Sequence, residues 1–143
     1  MDIAQRIGHR LIQLGVLLFL LGLMTGFVVP VLALPRMGLA SHLEGLMNGI
    51  FLMALGLVWP RLSLTTFWHQ VSFWLAVFGT FANWLAVLLS AFWGAAATMP
   101  IIGGGATGAP IHEQIVFVLL MTLSIAMVAL CVILLAGLRS QRA

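Results

Sequence analysis

The sequence contains very little charge. Only 6% of its 143 residues are Asp, Glu, Lys or Arg, and Lys is absent, whereas 63% are hydrophobic. In a water-soluble domain roughly a quarter of the residues are charged, so the composition excludes a soluble fold and indicates an integral membrane protein. The six basic side chains are all Arg and lie at the ends of apolar runs. They form no basic patch, so nucleic-acid binding is not expected.

Cysteine is almost absent as well. The one cysteine, Cys131, stands inside an apolar run, which excludes a disulfide framework and a metal site made of several thiolates. We interpret Cys131 as a buried structural thiol.

Long apolar runs are what the sequence does have. A helix needs about 20 residues to cross a hydrocarbon core, and four runs reach or approach that length. We predict helices over about 8–33, 42–59, 65–94 and 110–139, in a single all-α membrane domain that covers residues 1–143. A cleaved signal peptide is the alternative for the first run, but residues 11–35 exceed the about 7 to 15 apolar residues of such a segment.

Local signals give the expected helix ends. Ser41 is a good N-cap residue and Glu44 stands three positions later, so the pair predicts a capping box at the start of the second helix. Residues 94–110 are rich in Gly, Ala and Pro and predict a flexible connection. Five of the six Arg then fall on one side of the membrane, which by the positive-inside rule predicts that both termini are cytoplasmic.

Small residues recur at helix-contact spacing. Gly15, Gly22 and Gly26 lie in the first apolar run, and Gly45 and Gly49 lie in the second. Such residues let helix backbones approach closely in a membrane. Four short helices enclose little interior of their own, so we expect an oligomer with a site between subunits.

A few polar side chains interrupt the apolar runs and are the candidate functional residues. Such residues face a bundle interior, a cofactor or a water-filled cavity, because exposure to lipid is costly. At 100° per residue Glu44 and Asn48 share one face of the second helix, whereas His42 lies about 120° from Asn48. Asn83 lies deep in the third helix, where it could bond between helices or line a pocket. His42 could be an interfacial hydrogen-bond donor, an axial haem ligand, or part of a metal site with His112 and the two Glu.

Three stretches resemble a known family. They are PRMGL at residues 35–39, SHLEGLMNG at 41–49 and GTFANWL at 79–85, and they are similar to the hydroxylaminobenzene mutases, small bacterial membrane isomerases. The resemblance covers nearly the whole chain. It extends more distantly to styrene oxide isomerase, which has four helices, forms a trimer and holds haem b between subunits.

The resemblance implies roles for particular residues. His42 matches the iron ligand and Asn48, six residues later and followed by Gly49, matches a pocket amide; Asn83 falls in the matching segment of the third helix. Styrene oxide isomerase has a catalytic Tyr where this chain has Val87, and this chain contains no Tyr. Glu44 is the candidate for a proton shuttle or for a hydrogen-bond partner of the substrate oxygen.

The implied function is the isomerisation of hydroxylaminobenzene to 2-aminophenol. Ferric haem b, bound as the cofactor, would act as a Lewis acid toward this small aromatic substrate. The resemblance further implies a homotrimer in the bacterial inner membrane. Two alternatives remain open from the residues: a small proton-coupled multidrug exporter with Glu44 as the proton site, and a haem electron carrier with His42 and His112 as paired ligands.

Overall fold

The described part of the chain is entirely helical. The computed structural model describes residues 2–139, and every regular element in that range is a helix. The elements are α1 (Ile3–Val28), α2 (Pro35–Val58), α3 (Thr66–Trp93), the short α4 (Pro100–Gly103) and α5 (Pro110–Arg139), with 3-10 turns at Val29–Val31 and Trp59–Arg61. Four of these helices are long and apolar enough to cross a membrane. The predicted all-α bundle with four membrane spans is confirmed.

The first two helices begin earlier than predicted. The start of α1 is Ile3 instead of residue 8, because Asp2 and Gln5 form a capping box that satisfies the first free N–H groups. The start of α2 is Pro35 instead of residue 42. Proline suits the first turn of a helix, since its φ is fixed near the helical value and its missing N–H would have no helical partner there.

The capping box predicted at Ser41 and Glu44 is therefore wrong. Both residues lie inside α2, where the backbone N–H groups already have helical partners. Ser41 is fully buried, and its hydroxyl donates to the carbonyl oxygen of Trp84 on α3 at 3.1 Å. The hydroxyl thus links two helices and caps neither of them.

The later boundaries lie close to the predicted ones, but residues 94–110 are more ordered than a flexible connection. The third helix, α3, ends at Gly94, whose φ of 70° is left-handed and suits glycine. The connection contains α4, and the Glu113 carboxylate accepts hydrogen bonds from the backbone N–H groups of Ala97 and Gly108 at 3.0 and 2.7 Å. One side chain on α5 therefore holds both ends of the connection.

Glycines form the contact between α1 and α2. A Cβ atom on Gly15 would lie 2.7 Å from the carbonyl oxygen of Gly49, and one on Gly22 would lie 2.8 Å from the carbonyl carbon of Gly45. The expected close approach of the two backbones is confirmed at both pairs. The remaining glycine of the first helix, Gly26, contacts the side chain of His42 and not a backbone.

The most buried span is α3, and the least buried is α5. The first two helices pack on one side of α3, and α5 packs on the other. There the side chain of Met127 on α5 lies directly against Gly79 of α3. Most of the α5 surface faces outward, and Cys131 is exposed there. The interpretation of Cys131 as a buried thiol is wrong, because its position on α5 points away from α3.

The helices run alternately up and down, which divides the Arg residues between two ends of the bundle. Arg6 and Arg10 near the start of α1, Arg61 after α2 and Arg139 at the end of α5 lie at one end, called here the Arg-rich end. Arg36, at the start of α2, lies at the opposite end. Arg142, which also entered the topology prediction, falls outside the described residues.

Candidate functional site

Glu44, Asn48 and Asn83 form a polar cluster between α2 and α3, called here the carboxylate cluster. Glu44 Oε2 accepts hydrogen bonds from Asn48 Nδ2 at 3.2 Å and from Asn83 Nδ2 at 2.5 Å. Glu44 and Asn48 are one helical turn apart, so the helix period places them on one face as predicted. Asn83 reaches the same oxygen from the neighbouring helix.

The carboxylate cluster lies well inside the bundle. Glu44 is the tenth residue of α2, which at 1.5 Å per residue puts it about 14 Å along the helix. All three side chains are half-buried. A carboxylate at such a depth is costly unless hydrogen-bond donors stabilise its charge, and the two amides supply them. Because both amides bind Oε2, Oε1 is the oxygen left to interact with a bound molecule.

His42 lies on the other flank of α2, against α1. Its Nδ1 is 2.7 Å from the carbonyl oxygen of Gly22. A carbonyl oxygen only accepts hydrogen bonds, so Nδ1 carries the proton and Nε2 carries the lone pair. Gly26 leaves space for the ring, since a Cβ atom there would lie 3.0 Å from Nδ1. The half-buried His42 is therefore fixed in one tautomer with a nitrogen ligand available.

The structure keeps His42 and the carboxylate cluster apart within one chain. Between them on the outer side of α2 runs a strip of exposed apolar side chains, the α2 strip. Its members are Leu39, Leu43, Met47, Ile50 and Leu57, which are 51%, 47%, 65%, 53% and 71% exposed. His42 lies along one edge of this strip and Glu44 along the other. Within one chain the two groups therefore face different sides of α2.

The other histidines have different surroundings. His112 stacks on Trp93 with ring centroids 4.2 Å apart and planes 10° apart, whereas His42 packs on α1. His9 is exposed and His69 is buried near Trp59, both towards the Arg-rich end. Across residues 2–139 no group of three or more His, Cys, Asp or Glu side chains could hold a metal ion. The considered metal site of His42, His112 and the two Glu is therefore wrong.

Val87 occupies the position at which the resemblance leads us to look for a tyrosine. The side chain is 5% exposed and packs with Met37, Ala91 and Ala96 in a small apolar core. It offers neither a proton nor a hydrogen bond to a bound molecule. Of the predicted side chains in the carboxylate cluster, only Glu44 carries an ionisable group.

Two residues that sequence reasoning did not select join α1 to α3. Trp84 donates from Nε1 to the hydroxyl of Thr25 at 3.0 Å, and the Thr25 hydroxyl donates to the Leu21 carbonyl oxygen. The Trp84 ring also packs against Gly45, where a Cβ atom would lie 3.0 Å from Cδ1. Thr25 is a polar residue in an apolar run and Trp84 adjoins Asn83, so both carried a weak signal. The pairing itself spans 59 residues and could not be read from spacing.

Comparison with known proteins gives a consistent result. A family model described as styrene oxide isomerase matches residues 7–139. Hydroxylaminobenzene mutase HabB of Ectopseudomonas oleovorans is 54% identical over 138 residues, which are 96% of this chain and 84% of that protein. Hydroxylaminobenzene mutase HabA of the same organism is 50% identical over 124 residues, which are 86% and 92% of the two chains. No solved structure matches the chain significantly.

Proposed function

This chain belongs to the styrene oxide isomerase family, and from that membership together with the carboxylate cluster we propose that it isomerises hydroxylaminobenzene to 2-aminophenol. The N–O bond breaks, the hydroxyl oxygen bonds to the ortho carbon of the ring, and the proton from that carbon replaces the lost group on nitrogen. Substrate and product have the same composition, so the reaction needs no oxidant or reductant. The relatives at 54% and 50% identity are mutases by name, which supports the same class here.

The observation that carries the proposal is the geometry of Glu44. A rearrangement of this kind needs a group that takes a proton from the ring carbon and returns it to nitrogen. Two amides on Oε2 hold the carboxylate in place and leave Oε1 for the substrate. Asn48 and Asn83 orient Glu44, and the apolar helices around it exclude water from the aromatic ring. With Val87 in the tyrosine position, Glu44 performs the proton transfer.

His42 fits the role of haem ligand. An imidazole that binds a metal through Nε2 typically donates its Nδ1–H to a carbonyl or carboxylate, which fixes the ring and strengthens the ligand. His42 has this arrangement with the Gly22 carbonyl oxygen. In the proposal His42 holds the iron of haem b. When bound, the haem would supply a Lewis acid toward the oxygen of the N–O bond.

The proposed working unit is a homotrimer in which each site lies between two chains. His42 of one chain would face the carboxylate cluster of the next, and the α2 strip would be covered at the contact. Both groups border that exposed strip, which supports the arrangement. We further propose that the protein lies in the bacterial inner membrane with cytoplasmic termini, and the asymmetry of its Arg residues supports this orientation.

The experiment that tests the function uses the purified protein in detergent. Wild type should show a Soret band and convert hydroxylaminobenzene to 2-aminophenol. His42→Ala should lose the band and the activity, whereas the matched variant His112→Ala should keep both. An active protein without bound haem would contradict the cofactor assignment. A low-spin spectrum that His112→Ala alters would instead support the electron carrier, and proton-driven efflux with no turnover would support the exporter.

The proposed trimer is tested by a substitution in the α2 strip. Met47→Arg places a charge in the centre of the proposed contact and should yield monomers by mass photometry, with the Soret band lost. Ile125→Arg, on the exposed face of α5, carries the same change at a site that is 72% exposed and should leave the trimer intact. Monomeric wild type with bound haem would overturn this proposal.

A further inference from the structure

A small cavity lies between α1 and α3 at the Arg-rich end. It encloses about 200 Å³ and is lined by Arg6, Arg10, Gln70 and the side chains of Ile3 and Ile7. Arg6 and Arg10 are one helical turn apart and so project from the same side of α1. Gln70 adds an amide from α3. The cavity therefore combines two guanidinium groups and an amide with an isoleucine wall.

The two guanidinium groups have no acidic partner in the described part of the chain. Asp2 is the nearest acid in sequence, and its carboxylate accepts the Ile3 N–H at 2.6 Å as the cap of α1. No ion pair joins Arg6 or Arg10 to a carboxylate within residues 2–139. The positive charge around the cavity is thus available to an anion from outside the chain.

The depth of the cavity favours one kind of anion. Arg10 is the eighth residue of α1, about 10 Å from the start of a helix that crosses the membrane. An Arg at this depth extends towards the interface and pairs with groups found there. The phosphates of lipid head groups are concentrated in that layer, and a guanidinium binds phosphate oxygens with two parallel hydrogen bonds. The isoleucine wall suits the glycerol and the first methylene groups of a lipid.

We propose that this cavity binds the phosphodiester head group of an anionic phospholipid. Arg6 and Arg10 bind the phosphate oxygens, and Gln70 donates a further hydrogen bond. The bound lipid joins the start of α1 to the start of α3. It stabilises the Arg-rich end, far from the carboxylate cluster.

The test measures thermal unfolding of the full-length protein in nanodiscs. Discs of phosphatidylcholine alone are compared with discs that also contain phosphatidylglycerol, whose head group is anionic. Wild type should gain stability from phosphatidylglycerol, and native mass spectrometry should detect the retained lipid. The double variant Arg6→Gln/Arg10→Gln should bind that lipid about thirtyfold more weakly and lose most of the gain.

The matched control is Arg61→Gln/Arg139→Gln, which removes the same charge at the same end and should keep the gain. If both double variants lose it equally, the effect is general surface charge and the proposal fails. If inorganic phosphate in phosphatidylcholine discs reproduces the full gain, the site binds a free anion and the lipid assignment is overturned. Gln70→Ala keeps both charges, so it tests the cavity even if the double variant does not fold. It should retain less phosphatidylglycerol than wild type, and unchanged retention would count against the cavity.

Discussion

The two sides of α2 use opposite kinds of contact. Towards α1 the contact consists of glycines, and the backbones approach so closely that a Cβ atom on Gly15 or Gly49 would overlap the facing helix. Towards α3 polar side chains also join the helices, with Ser41 bonded to the Trp84 backbone and Glu44 bonded to Asn83. The first contact brings the backbones into close approach, and the second joins side chains to the neighbouring helix by hydrogen bonds.

We assign different roles to the two contacts: the glycines support the packing of the helices, and the polar side chains serve the proposed reaction. The glycine contact brings the two backbones close together and places the Gly22 carbonyl oxygen 2.7 Å from Nδ1 of His42. The polar contact contains the carboxylate of Glu44, the group to which we assign proton transfer in the proposed reaction. We therefore expect substitutions of the glycines to change stability and those in the carboxylate cluster to change rate.

The largest effect is expected from Gly15→Leu. The new side chain would overlap the Gly49 carbonyl oxygen and the backbone of Met53, so the helices must separate. We expect a loss of more than about 3 kcal/mol, beyond ordinary overpacking, because backbone cannot move aside as a side chain can. The free energy of unfolding, measured in detergent, gives this loss. Ser124→Leu, on the exposed face of α5, is the control for added volume and should cost little. A Gly15→Leu protein as stable as this control would show that the glycine contact is not rigid.

Glu44→Gln should have the next largest effect, and on rate instead of stability. The amide keeps the size of the side chain and can still accept a hydrogen bond from Asn83, but it cannot carry the proton. General acid–base groups contribute about 100-fold or more, so kcat should fall at least about 100-fold. The Soret band and the unfolding temperature should stay close to wild type. Unchanged kcat would remove Glu44 from the proton transfer and leave it a structural role.

Asn48→Ala tests how much one of the two amides contributes to the carboxylate cluster. It removes one of the two donors to Glu44 Oε2 and leaves Asn83 in place. We expect an at least about tenfold lower kcat, from about 1.5 kcal/mol, the lower end of the range for a hydrogen bond to a charged group, because this bond is long at 3.2 Å. Ala should leave haem binding intact. A variant that loses the Soret band would mean that Asn48 supports the cofactor and does not merely orient Glu44.

The smallest effect is expected at Ser41. Ser41→Ala removes the bond to the Trp84 carbonyl oxygen and should cost about 0.6 kcal/mol, the typical value for a hydrogen bond between membrane helices. Ser41→Asp tests the rejected N-cap role, because Asp is as good a cap as Ser but would place a charge in a fully buried position. The Asp variant should be far less stable than the Ala variant. An Asp variant as stable as wild type and more stable than the Ala variant, measured by unfolding in detergent, would restore the cap interpretation.

Patterns local to one helix were predictable from the sequence. The Glu44–Asn48 pair follows from the 3.6-residue period, and the separation of His42 from Asn48 follows from the same arithmetic. The start of α2 was not predicted, because Ser41 and Glu44 form a convincing capping signal, whereas the helix begins at Pro35, which suits its first turn. The exposure of Cys131 also depended on packing, since an apolar run does not show which of its faces meets a neighbour.

The sequence by itself determined the class of the protein, the four spans and the glycine spacing that brings α1 to α2, because hydropathy and helix periodicity are properties of continuous segments. Only the tertiary structure decided which partners the polar groups have. Asn83 reaches Glu44 across 39 positions and His42 reaches Gly22 across 20, and these distances in sequence carry no periodic signal. Backbone carbonyls such as those of Gly22 and Trp84 exist at every residue, so their selection as acceptors depends on how the helices pack.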